Sequence, residues 1–336
     1  MEKKRNYQID NIRALAILLV VFGHSIILYS SKWNLYTSNV SVPALDKLKI
    51  WISLIQMPLF FALSGFLFSL QYKKTAYGLL IKKKAKRLLI PYCFVGLCYM
   101  VPIKILVKCP GYENINFKKI FIKIFLGKDN GHLWYLPCLF ICFMIAKPIF
   151  AFSFDSSDKK KFSSALKILS VILVFSLFSI FSGKIGKLSV FHGIRLPKDI
   201  MKNFIWFYIG GFILKKGTAF IDILNKRKIF VFILAVVMSV LSIIYPRYFS
   251  FLTALVLVIA YFTIVPKKQN KICDFLSKNS FGIYLFHSPL IYITFTFLSE
   301  ASPFIVVGLN FLCFGSIALI ITLLIQKTKF SFLIGM

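Results

Sequence analysis

The sequence predicts an all-α integral membrane protein that crosses the bilayer about ten times, with both ends on the cytoplasmic side. Three observations carry this expectation. Of 336 residues, 58% are hydrophobic and 38 are Phe. Apolar runs recur along the whole chain, where a soluble domain would need a polar surface. The formal charge of +31 sits in short stretches between those runs, the pattern that orients membrane helices.

A helix needs roughly 17–22 apolar residues to span a bilayer. Runs of that kind fall near 12–30, 51–70, 88–107, 133–152, 165–182, 203–214, 229–245, 249–265, 281–298 and 304–325. The sixth is short and is interrupted at Ile209-Gly-Gly-Phe212. The linkers near 71–87, 153–164, 215–228 and 266–280, taken with both termini, hold 24 Lys and Arg. The opposite set (31–50, 108–132, 183–202, 246–248 and 299–303) holds 14. The excess places the first set in the cytoplasm and requires an even number of spans. In one outer linker, Asn116-Phe-Lys-Lys-Ile-Phe-Ile-Lys-Ile-Phe-Leu-Gly-Lys128, the residues Phe117, Ile120, Phe121, Ile124 and Phe125 share a helical face. That segment reads as an amphipathic helix lying at the membrane interface. Met1-Glu-Lys-Lys-Arg5 precedes an apolar run without a clean small-x-small cleavage site, so the first span is expected to be retained. The whole chain, 1–336, reads as one membrane domain without a fused soluble domain.

The composition also excludes classes. No aromatic-studded basic domain stands apart from the spans, so the charge is not a nucleic-acid footprint; it attracts anionic lipid and anionic ligands. The seven Cys are scattered. Cys138 and Cys142 share a helical face, but no His or carboxylate set completes a metal site there, and they read as packing residues.

The most informative pair is Arg13 and His24. Eleven steps at about 100° are three turns plus roughly 20°, so both side chains lie on one face about 16 Å apart. Arg13 then meets the membrane surface and His24 lies near the bilayer middle, where an ionisable residue marks a functional site by default.

Five stretches extend this pair into a pattern. They are Ile9-Asp-Asn-Ile-Arg13 through Val20-Val-Phe-Gly-His-Ser25, Met57-Pro-Leu-Phe-Phe-Ala-Leu-Ser-Gly65, Lys83-Lys-Ala-Lys-Arg-Leu-Leu-Ile-Pro-Tyr92, His132-Leu-Trp-Tyr-Leu136 and Ser280-Phe-Gly-Ile-Tyr-Leu-Phe-His-Ser-Pro289. In this order they resemble the integral-membrane acyltransferase-3 family over essentially the whole chain. Within it they are most similar to the fucose 4-O-acetylase-like and capsular polysaccharide O-acetyltransferase branch. The resemblance implies transfer of an acyl group, usually acetyl from cytoplasmic acetyl-CoA, to a hydroxyl of a cell-surface polysaccharide or its lipid-linked precursor. It also implies a multi-pass protein of a bacterial cytoplasmic membrane. Two departures stand out. The family's second basic motif commonly has two Arg separated by two residues, and Lys84 and Arg87 hold those places here; Lys lacks the bidentate fork. A Gly often found just before the Pro-Leu-Phe-Phe stretch is replaced, since Gln56 and Met57 stand there.

Ester formation needs a base for the acceptor's hydroxyl proton, and a His with a pKa near 6.5 suits the task. His24 is therefore the expected general base. A polyanionic CoA needs a cationic mouth, for which Arg13, Lys84, Lys86 and Arg87 are the candidates. His132, Trp134, Tyr284 and His287 are weaker candidates for substrate contact, with Trp134 and Tyr135 equally accounted for by an interfacial aromatic belt. Asp10, about 21 Å from His24 along the axis, is too far to orient the imidazole and reads as an N-cap or a partner for Arg13. Ser64 and Gly65 read as packing residues, and His192 carries no chemical signal. Direct transfer and transfer through an acyl-enzyme are both compatible with these residues. A rival reading is a polysaccharide exporter that uses His24 and His287 as a proton relay or substrate contact.

Overall fold

A computed structural model describes residues 5–31, 42–112, 116–155, 161–186 and 194–335. Every regular element among them is helical. In chain order these are α1 (Tyr7–Ser25), α2 (Pro43–Ser69), α3 (Tyr77–Val95), α4 (Val101–Leu106), α5 (Phe117–Phe125), α6 (Tyr135–Phe154), α7 (Lys161–Ile185), α8 (Leu196–Lys215), α9 (Thr218–Asn225), α10 (Lys228–Ile244), α11 (Pro246–Ile264), α12 (Lys271–Phe297), α13 (Pro303–Gly308) and α14 (Gly315–Gln326). A π-turn at Gly96–Met100 joins α3 to α4, and another at Leu309–Phe314 joins α13 to α14, so each pair continues as one long rod. His192 lies outside the described residues.

The chain writes its own helix ends. Asn6, Asn116 and Asn270 cap α1, α5 and α12, each side-chain oxygen accepting the backbone N–H three residues on. α2, α8, α11 and α13 open on a proline in the first turn, where a missing N–H costs nothing.

Each of the ten expected apolar runs coincides with one of these helices or continuous helix pairs. By length and composition six of them can cross a membrane: Pro43–Ser69, Tyr77–Leu106, Gly131–Phe154, Phe162–Ile185, Pro246–Ile264 and Pro303–Gln326. A seventh would be the pair α8 and α9, which is bent by 82°. α10 is apolar but short. α1 and α12 fall outside this set because polar residues interrupt them: Gln8, Asp10, Asn11, Arg13 and His24 in α1, and Asp274, Ser277, Lys278, Asn279, Ser280 and His287 in α12. Of these, Asp10, Arg13, His24, Asp274, Ser277, Lys278, Ser280 and His287 belong to the site described below. Gln8 and Asn11 instead donate to backbone carbonyls at and after the end of α11, and Asn279 accepts from Gln326.

α1 packs along α12, and α2 packs along α8. The α2–α8 contact corrects the reading of Ile209-Gly-Gly-Phe212 as an interruption. α8 is continuous over 20 residues, and its glycines are contact points. A Cβ on Gly210 would collide with the carbonyl of Ala62, one on Gly65 with the carbonyl of Phe207, and one on Gly211 with the ring of Phe150. Only hydrogen allows the two backbones to approach this closely.

α5 is the expected amphipathic helix. Phe117, Phe121 and Phe125 are exposed while Ile124 is buried against the bundle. Beside it, Lys104 is 2% exposed and holds Asp129 at 2.6 Å, and the Tyr112 hydroxyl donates to the other oxygen of Asp129 at 2.6 Å. Burial works against ionisation of Asp129, yet the ammonium of Lys104 and the Tyr112 hydroxyl prevail and keep its carboxyl below the ordinary carboxylate value. The stabilisation this provides is therefore complete above about pH 4 and is lost as pH falls through the lowered folded value. Asp129→Asn leaves Lys104 buried without its carboxylate and is expected to cost about 3–5 kcal/mol. Thermal unfolding in detergent at neutral pH measures the loss; the variant should also lose the wild type's extra destabilisation in acid.

Candidate active site

The structure brings three of the four histidines of the chain into one cluster. The ring centres of His24 and His287 lie 5.0 Å apart, those of His132 and His287 5.5 Å, and those of His24 and His132 6.4 Å. They come from three places: the last turn of α1, the turn Gly131–Trp134 before α6, and the middle of α12. His132 and His287 are buried, and His24 is partly exposed.

Backbone carbonyls decide the tautomers, because a carbonyl only accepts. His287 Nδ1 lies 2.9 Å from the Ile283 oxygen and 3.0 Å from the Tyr284 oxygen, so it carries the proton and Nε2 keeps its lone pair. That lone pair faces His24 Nδ1 at 3.2 Å, and His24 Nδ1 also lies 2.9 Å from the Val20 oxygen. In the neutral ring the Nδ1–H of His24 is thus shared between two acceptors, and Nε2 is left with its lone pair. His132 Nε2 donates to the Leu285 oxygen at 3.1 Å. The Tyr284 hydroxyl donates to the backbone oxygen of His132, which ties the turn before α6 to α12. Gly131 makes the turn possible with φ +49°, a conformation that side chains disfavour.

Beside this cluster lies a cavity of about 720 Å³. Arg13, Lys84, Arg87 and Lys278 give it a cationic wall, and Phe60, Leu67, Leu139 and Phe143 an apolar one. Lys84 Nζ sits over the Phe143 ring, 3.6 Å from its centre, so its cation is held in place by the aromatic face. Tyr284 belongs to both regions: it lines the cavity, and its ring centre is 5.4 Å from that of His132. Tyr135 lines it too, and its hydroxyl is 3.3 Å from the Ser64 hydroxyl. Gly335 closes part of the wall with φ +75°, against the Arg87 carbonyl.

Arg13 is set in a network that joins the starts of α1 and α12. Its Nη1 lies 3.3 Å from Ser277 Oγ and 3.8 Å from Asp10 Oδ1. Ser277 donates to Asp10 at 2.8 Å, and Arg5 reaches Asp10 at 2.8 Å and Asp274 at 3.2 Å. Asp10 is thus a partner of Arg13, as one of its two expected roles had it; the N-cap is Asn6.

Not every expected residue arrives at one place. Lys86 is exposed and does not line the cavity. On a helix Lys84 and Arg87, three apart, share a face, whereas Lys86 lies about 200° from Lys84. Trp134 lies in a separate cavity of about 180 Å³ with Asn130, Arg195 and Asp199, and the Arg195 guanidinium stands 5.8 Å from its ring centre. Lys278, absent from the sequence expectation, lines the large cavity; its spacing of nine residues from His287 puts the two about 180° apart on α12, so periodicity gives no signal for it. Cys138 and Cys142 are buried in the core of α6. Among the described residues no group of three or more His, Cys, Asp or Glu is arranged to hold a metal ion.

A bundle of long apolar helices marks a multi-pass membrane protein, and within it three histidines gather at one place near a cavity with a cationic wall. The chain belongs to the acyltransferase-3 family: the family model described as Acyltransferase domain (Acyl_transf_3) matches residues 6–326. No match is found among curated proteins or among solved structures.

Proposed function

We propose that this membrane acyltransferase moves an acetyl group from cytoplasmic acetyl-CoA to a hydroxyl of a cell-surface polysaccharide or its lipid-linked precursor. Two observations carry the reading: the lone pair left on His24 Nε2, and a cavity with a cationic wall that reaches the histidine cluster through Tyr284, whose ring centre is 5.4 Å from that of His132. Arg13, Lys84, Arg87 and Lys278 hold the phosphates of the donor, with the arginines able to make paired hydrogen bonds. The Phe60–Leu67 wall takes the apolar part of the arm, which delivers the thioester past Tyr284. His24 Nε2 takes the proton of the acceptor hydroxyl as its oxygen bonds to the thioester carbon. The carbon–sulfur bond breaks, and the proton leaves with the CoA thiol. His287 acts by accepting from His24 Nδ1 and so keeping Nε2 toward the substrate. Both termini face the cytoplasm of a bacterial cell in this reading, which puts the cationic wall on the CoA side.

The test is the ester-linked acetyl content of surface polysaccharide from null cells complemented with wild type or His24→Ala, at equal membrane abundance. Loss of acetyl with polymer yield unchanged supports the reading. Loss of polymer from the surface with acetyl per sugar unchanged overturns it in favour of an exporter. A second expectation concerns the donor. The double variant Lys84→Ala and Arg87→Ala should raise the KM for acetyl-CoA by about 10–100-fold, two charge-assisted contacts at ~1.5–3 kcal/mol each before compensation by Arg13 and Lys278. Lys86→Ala should leave that KM within twofold, measured with labelled acetyl-CoA in membrane vesicles.

A further inference from the structure

A groove of about 640 Å³ runs between α2, α10 and α11, with Leu15 of α1 in its lining. Along α10 it is lined by Phe232, Ala235, Val236, Ser239, Val240 and Ile243, the three-and-four spacing of one helix face. Phe232 to Ile243 is about 16 Å of helix, half of a hydrocarbon core about 30 Å thick and so the depth of one leaflet. Phe232, Val236 and Val240 are 59%, 47% and 50% exposed, so the groove opens toward lipid. The Ser239 hydroxyl donates to the Ala235 carbonyl at 2.6 Å, which leaves the wall apolar there.

One end of the groove is basic. A hollow of about 510 Å³ lies there, lined by Lys226, Lys228 and Lys267. Asp222 is the one carboxylate in that lining, so the hollow keeps a net positive charge. Val265 lines both the hollow and the groove, and Lys228 stands one helical turn before Phe232, so the two are continuous. α9, bent by 82° from α8, turns across this end of the bundle and exposes Phe220 and Ile223. It has the character of an interfacial helix, which sets the lysines at headgroup level. All three lysines lie in the linkers 215–228 and 266–280, whose charge assigns them to the cytoplasmic face.

We propose that the hollow and the groove form one binding site for an anionic phospholipid of the cytoplasmic leaflet. Its phosphate sits among Lys226, Lys228 and Lys267, and an acyl chain runs along α10 toward Ile243. An apolar groove alone would take any lipid chain, and a lysine cluster alone any anion. Joined at Val265, they fit a molecule with a negative head and about 16 Å of hydrocarbon behind it. The bound lipid fastens α10, the short apolar helix, to α2 and α11. The site is independent of acyl transfer at His24; only its leaflet rests on the topology given with that reading.

The experiment titrates delipidated protein in neutral detergent with phosphatidylglycerol, phosphatidylcholine or an isoprenoid phosphate, and reads bound lipid by native mass spectrometry. Wild type is expected to bind one phosphatidylglycerol about tenfold or more tightly than phosphatidylcholine. The triple variant Lys226→Ala, Lys228→Ala, Lys267→Ala should lose that preference. Ser239→Trp, which fills the groove without changing charge, should weaken phosphatidylglycerol by a similar factor. The triple variant Lys82→Ala, Lys83→Ala, Lys86→Ala removes equal charge from exposed positions of α3 and should stay within about twofold of wild type. Equal affinity of wild type for the two phospholipids overturns the site, and so does equal weakening by both triple variants, the mark of a general field. Tighter binding of the isoprenoid phosphate assigns the groove to the anchor of a lipid-linked glycan and overturns the phospholipid. A dimer that Ser239→Trp dissociates, with no lipid bound to wild type, assigns it to a second copy. If Ser239→Trp fails to fold, the two lysine triples decide alone.

Discussion

His24→Ala is expected to lower acyl transfer by about 10²–10⁴-fold, the range that a positioned general base contributes, while the protein stays in the membrane at wild-type level. The structural cost is small because His24 is partly exposed and its ring nitrogen Nδ1 pairs with one backbone oxygen and His287. Removing the ring leaves His287 Nε2 without its donor but opens no large cavity in the core. The donor cavity keeps all its cations, so binding of CoA should be unchanged. Transfer with isolated membranes and labelled acetyl-CoA reads the effect. A rate within threefold of wild type would remove His24 from the mechanism. His287→Ala should fall between the two, because the base survives but its Nδ1–H keeps only the Val20 carbonyl as acceptor.

The second large effect is on the fold. Gly65→Val or Gly210→Val forces a branched side chain into a backbone carbonyl of the facing helix. Overpacking ordinarily costs about 1–3 kcal/mol, and here neither neighbour is a side chain that can rotate away. Each variant should therefore lie at or above the upper end of that range, with protein lost from the membrane fraction. Gly78→Ala is the control: a Cβ there meets nothing within 4 Å, and an alanine in a helix is favoured over glycine. Size-exclusion profiles and thermal midpoints of detergent extracts separate the outcomes. A Gly65→Val protein as stable as wild type would show that α2 and α8 are not held by close backbone contact.

Much of this molecule was legible in the chain. The ten apolar runs fall on helices, and α5 presents the amphipathic face that its Phe spacing predicts. The Arg13–His24 spacing placed both residues on one side of α1 before any fold was known. Other features were not legible, for identifiable reasons. The Gly210-Gly211 pair reads as a helix breaker in isolation, and its role depends on what lies across the interface. Lys82 to Arg87 is a basic run in one dimension, and only its winding into α3 sorts Lys84 and Arg87 from Lys86.

Local sequence determined what depends on short range: helix periodicity, capping by Asn6, Asn116 and Asn270, the apolar content that makes this a membrane protein, and the ionisable groups available for chemistry. Tertiary structure decided everything that requires two distant segments at once. His24 and His287 are 263 residues apart in the chain and 3.2 Å apart in space. Which nitrogen of His24 stays free follows from a carbonyl on its own helix and a lone pair on another. A hydrogen bond has a range of about 3 Å, and no one-dimensional pattern specifies which parts of a 336-residue chain come within it.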